Sequence, residues 1–250
     1  MIKVKTKIDK TINSATFLKG NFGKAVLLEY IWRNKEYFCC NPQLKVLTFY
    51  EDIVNGSNSY AAVLINQILN QRGLRIGNPT DLGRILKNNI QDLIGKSVDF
   101  ALVLRNENEP NGYLAKDLIQ QLVLQGRKIE MPIMIPLTSL ELKIEEKAPH
   151  GLGFKLREKS RIIQSHILNE DTYFSLNDID KATGLPYKTK NIGEGFLYTR
   201  NSGLSRMYLR VLPPKRYSER RYSSIAIHAD LEGLSISDSN DRIIVMHKES

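Results

Sequence analysis

The chain has 250 residues, of which 42% are apolar and 25% charged, and a formal net charge of +9. Those proportions exclude wholesale disorder, and a chain of this length buries about 70% of its unfolded surface, so a substantial core is expected. No apolar run approaches the roughly 18 to 20 residues of a spanning helix, and MIKVKTKIDKTINS has no apolar stretch behind its lysines, so a cytoplasmic protein without a membrane partner is expected.

Residues 25 to 50, AVLLEYIWRNKEYFCCNPQLKVLTFY, are rich in β-branched and aromatic side chains and are broken by Asn41-Pro42, which predicts two or three antiparallel strands. The only two cysteines, Cys39 and Cys40, are adjacent. Pairing them would close a strained ring, and two thiols alone cannot complete a zinc site, so they read as reduced core residues of a strand. After the turn Asn55-Gly56-Ser57-Asn58, SYAAVLINQILNQRG has helical spacing up to Gly73, and PTDLGRILKNNIQDLIG predicts a second helix with Pro79 near its start. SVDFALVLR has the length and composition of a buried central strand. YLAKDLIQQLVLQG predicts a third helix ended by Gly126. In IEMPIMIPLTSLELKIEE the prolines argue against an uninterrupted central strand, whereas LTSLELKI alternates as a strand does. The order predicts an α+β or mixed α/β fold, with one βαβ crossover open between residues 97 and 144. The break Ala148-Pro149-His150-Gly151 divides a mixed α/β region, 1–147, from a basic region, 148–250, and a single domain remains an alternative.

The second half opens with FKLREKSRIIQSHILNE, whose spacing predicts an amphipathic helix, followed by the capping-box pattern Ser175-Leu-Asn-Asp178. The residues SLNDIDKATGLPYKT, 175–189, resemble the core of a helix-turn-helix in bacterial winged-helix regulators. The resemblance implies a recognition helix beginning near Pro186, with Tyr187, Lys188 and Lys190 toward bases or phosphates. It also implies that GFLYTRNSGLSRMYLRV is a wing hairpin whose Arg200, Arg206 and Arg210 straddle the backbone. Without that resemblance, the same letters read as a polar, turn-rich loop.

Charge is concentrated where this region ends. Between residues 200 and 221, Arg200, Arg206, Arg210, Lys215, Arg216, Arg220 and Arg221 face one acid, Glu219. A cationic run interleaved with Tyr208 and Tyr217 suits a polyanion, because each cation placed on a phosphate releases a condensed counterion and each ring can stack on a base. The expected function is therefore binding of nucleic acid, DNA first, through 200–222. An alternative is a noncatalytic assembly or accessory protein of a virus or mobile element, docking an acidic protein partner on the same strip. The other alternative is a nuclease. Asp99 in its apolar strand, with Glu141 and Lys143 on one face of another, resembles nucleases of the PD-(D/E)xK kind, which implies Mg²⁺ on Asp99 and Glu141 and a Lys143 that orients water. No cofactor is expected outside that reading. Asp238-Ser-Asn-Asp241 lacks the Gly and terminal Glu of a calcium loop and reads as a turn.

Overall fold

The computed structural model describes residues 15–89, 91–109, 111–199, 203–211, 223–228 and 233–247, with the backbone alone at 87–89 and 223–228. A short strand, β1 (Thr16–Phe17), leads into helix α1 (Gly20–Tyr37), which occupies much of the stretch expected to form strands. Val26, Leu27 and Tyr30 face the core, but Leu28, Ile31 and Trp32 are exposed on the other side. Apolar residues on both faces erase the helical period, hence the misreading. Cys39 and Cys40 follow the end of α1 with left-handed φ of 52° and 57°, and both are exposed, which corrects their expected place in a core strand.

Next come the hairpin β2 (Thr48–Tyr50) and β3 (Ile53–Asn55), then α2 (Ser59–Asn70), whose N-terminus is capped by the Asn58 side chain accepting from the Ala61 N–H at 2.8 Å. Strand β4 (Leu74–Ile76), a 3₁₀ turn at Pro79–Asp81 and α3 (Leu82–Asn89) precede β5 (Ser97–Leu104), buried along its whole length as its composition predicts. Helix α4 (Gly112–Leu124) follows, then β6 (Ile133–Pro136). β6 pairs antiparallel with β5, so the open βαβ crossover is not formed there, and Pro136 sits at the strand end opposite Ala101.

Strands β7 (Leu140–Ile144) and β8 (Leu152–Leu156) form a hairpin, and the Ala148–Gly151 break lies within its turn. The segment expected as an amphipathic helix instead gives the end of β8, β9 (Ile163–Gln164) and a 3₁₀ turn at His166–Asn169. β10 (Thr172–Phe174) leads to the stretch that resembles a helix-turn-helix. There the described residues form a 3₁₀ turn at Leu176–Asp178 and a bridge between Ile179 and Pro186, and neither implied helix. The chain finishes with β11 (Gly195–Thr199), β12 (Leu204–Val211), β13 (Ser223–His228) and β14 (Ile244–His247).

Among the described residues, the order β10-β11-β13-β12-β5-β6-β9 makes a seven-stranded sheet, and β1-β14-β4 a three-stranded one. The mixed α+β expectation holds. The expected wing hairpin does not, because β13 lies between β11 and β12, parallel to the first and antiparallel to the second. The large sheet draws β5 and β6 from before residue 148 and its other strands from after it.

Opposite β12, Tyr208 pairs with Asp99 but Met207 pairs with Ala101, so β5 bulges at Phe100. The bulge keeps Val98, Phe100, Ala101 and Val103 in one apolar cluster, with Met207, Leu209 and Leu197. Leu102 and Leu104 join the cluster built with α2 and α4 on the other side. Asp99 is thereby turned to that second side, at the edge of its apolar part.

Candidate functional site

Asp99 and Arg206 meet where the covered part of this sheet face ends. The Arg206 guanidinium engages both oxygens of Asp99, donates to Asp241 at 3.2 Å and to the Ile236 carbonyl at 2.7 Å, and is 5% exposed. Ser57 donates its hydroxyl to Asp99 at 2.6 Å, and the Asp238 N–H donates to Asp241 at 2.8 Å. The loops at 55–58 and 235–241 thus close over the ion cluster. Burial opposes the charge on Arg206, but the two carboxylates outweigh it and hold the guanidinium above its ordinary range. Burial, then the charge of Asp99, pushes Asp241 up to about 6 against the pull of Arg206. This corrects the expectation for Arg206, since a buried cation with its donors engaged cannot reach a phosphate. Tyr208, half-buried, lays its ring 5.0 Å from that guanidinium.

Beyond the cluster the same face carries a row set by strand register. Lys190 bridges Tyr173, Tyr173 pairs with Phe196, Phe196 with Ser224, and Ser224 with Arg210. Directly paired residues project to one side of a sheet, so two cations end a row that contains two adjacent aromatic residues. The Tyr173 and Phe196 rings lie 4.7 Å apart at 53°, and Tyr198, two residues along β11 on the same face, lies 6.4 Å from Phe196 at 34°. Phe174 and Leu197, which alternate with them, point into the core on the opposite side.

At the outer edge of this row is an open cleft of about 410 Å³, lined by Ser165, His166, Ile167 and the run Pro186 to Lys190. Tyr187 is 56% exposed and Lys188 stands 5.6 Å over its ring. Lys190 pairs with Asp178 at 2.7 Å, and that hydrogen bond is the main cause holding the Asp178 carboxyl below its usual range. Tyr187, Lys188 and Lys190 thus line one cleft, on a turn rather than on a recognition helix.

The other expected residues are dispersed or lie elsewhere. Arg210 is exposed at the end of β12. Arg200, Lys215, Arg216, Tyr217, Arg220 and Arg221 lie outside the described residues. Asp99, Glu141 and Lys143 do not form one constellation. β5 belongs to the seven-stranded sheet, whereas β7 pairs with β8 in a separate hairpin. Glu141 pairs with Arg157 at 3.4 Å, and the Lys143 ammonium lies 3.0 Å from Asp117 and 3.1 Å from Glu145. The two do share a face of β7, as their alternation predicts.

Patterning along the chain missed Tyr173, Phe196, Tyr198 and His166. The alternation of aromatics in GFLYT is a local signal for the β11 pair, but nothing near Tyr173 announces its partner across the sheet. In comparison with known proteins, no family model, curated protein or solved structure matches the chain.

Proposed function

We propose that this protein binds nucleic acid, with DNA as the first ligand to test, along the part of its seven-stranded sheet that carries Tyr173 and Phe196 and the adjoining cleft. One observation carries the reading: Tyr187, Lys188 and Lys190 line a single cleft, and Lys190 also begins the row through Tyr173 and Phe196 to Arg210. Cations at both ends of a set of rings provide the two parts of such binding, charge for phosphates and π-faces for bases. The basic residues of 212–222 fit the same plan through connectivity, since that segment joins β12 to β13 directly after Arg210. A catalytic reading gains no comparable support, because Asp99 is engaged by Arg206 and Ser57 rather than grouped with Glu141 and Lys143.

The test is fluorescence anisotropy of labelled oligonucleotides across a salt series. The comparison uses one variant with Lys215, Arg216, Arg220 and Arg221 changed to Ala and another with Lys188 and Lys190 changed to Ala. Each lost phosphate contact lowers the log–log salt slope by about 0.7 to 0.9, so the fourfold variant is expected to flatten it by about 3 and the double variant by about 1 to 2. Weak binding that neither variant alters would overturn the proposal and leave the strip as a docking surface for an acidic protein.

A further inference from the structure

We infer that the row on the sheet face is a stacking platform for the unpaired bases of a single strand, with Tyr173 and Phe196 as its centre. The inference rests on the nucleic-acid reading above and names its substrate class.

Tyr173 and Phe196 occupy paired positions on neighbouring strands, and their rings are in contact without closing over one another. Tyr173 keeps 37% of its surface exposed. Phe196 and Tyr198 are partly exposed beside it, on the side opposite the core residues Phe174 and Leu197. From Lys190 to Arg210 the row crosses four strand spacings of ~4.8 Å, or about 19 Å, room for two or three bases side by side. Its ends are cationic. The ion pair of Lys190 with Asp178 is partly exposed, so a phosphate can compete for the ammonium.

The carboxylates that shortly precede β10 and β11 in the chain have partners of their own. Asp171 accepts from the Thr199 N–H at 2.6 Å and its hydroxyl at 3.0 Å, and Glu194 accepts from the Ser175 hydroxyl and the Leu176 N–H at 3.1 Å each. Carboxylates flanking the two strands favour a base over a phosphate beside the rings and direct the backbone toward Lys190 and Arg210.

The chemistry of stacking favours an unpaired strand over a duplex. A base within a duplex has both faces covered by its neighbours, so a stacking ring reaches it only when it is splayed out.

The experiment titrates the whole chain with three labelled probes carrying equal numbers of phosphates: a single-stranded oligothymidylate, its abasic counterpart and a duplex. The Tyr173→Leu/Phe196→Leu double variant is run beside the wild type, with circular dichroism as the folding control. The thymidylate is expected to bind about tenfold tighter than the abasic strand, and the double variant to lose that margin while keeping its abasic affinity. As a second measurement, Tyr173→Trp in a Trp32→Phe background should have its emission quenched by the thymidylate and not by the abasic strand. Equal affinities for thymidylate and abasic strand, or a folded double variant that retains the margin, would overturn stacking while leaving binding of the polyanion intact. Quenching absent at saturating thymidylate has the same meaning. No binding of any probe at low salt would overturn the nucleic-acid reading itself.

Discussion

Arg206 illustrates how position decides what a cation does. In the sequence it is one of seven basic residues in a run, yet the register of β12 against β5 puts it beside Asp99, and Asp241 arrives on a loop to complete the cluster. Removing such an arginine would leave two carboxylates facing each other out of water, so its replacement is a lesion of stability rather than of phosphate contact. Asp241 supplies a signature in pH. Its value of about 6 in the fold lies above the ordinary 3.8, so the folded state takes up a proton that the unfolded chain does not. The stability from this group is complete below about 3.8 and is lost as pH rises through about 6. Urea unfolding of the wild type and of Asp241→Asn at pH 4.5, 5.5 and 7 should therefore show the wild type gaining stability relative to the variant as pH falls. A difference constant across that window would contradict the raised value.

At the scale of elements, the β10–β11 edge is held by a close fit. Gly195 pairs with Phe174, and a Cβ added to Gly195 would sit 2.3 Å from the Phe174 ring. Gly195→Ala is expected to cost about 1–3 kcal/mol by overpacking, measured by urea denaturation, and to loosen the strand that presents Phe196 and Tyr198. The elements legible in the sequence were those with a local period and a local stop signal: α2 behind Asn58, α3 behind Pro79, α4 before Gly126, and β5 as a compact apolar run. Where spacing was ambiguous, tertiary packing decided. Leu156, Ile163, Ile167 and Leu168 fit a helical stripe, yet strand pairing and a 3₁₀ turn use them. The row of aromatic and basic residues was legible only in pieces, because strand order brings Tyr173, Phe196 and Arg210 together and no local pattern encodes that order.

At the scale of the molecule, the two regions divided at residue 148 share a sheet. β5 pairs with β12, β6 pairs with β9, and the turn between β7 and β8 crosses the division. Residues 1–147 expressed alone would leave the β5 edge without β12 and one face of β5 without Met207 and Leu209. That fragment is expected to lack the cooperative thermal transition of the whole chain, as followed by circular dichroism. The small sheet carries a consequence of another kind. Its middle strand is β14, which joins β1 on one side and β4 on the other. As the chain leaves the ribosome, those two flanking strands wait for a partner through more than 160 further residues of synthesis, just as Asp99 waits for Arg206. The order of translation therefore keeps these edges open until β14 emerges, and it is during that interval that the chain is most exposed to edge-to-edge association.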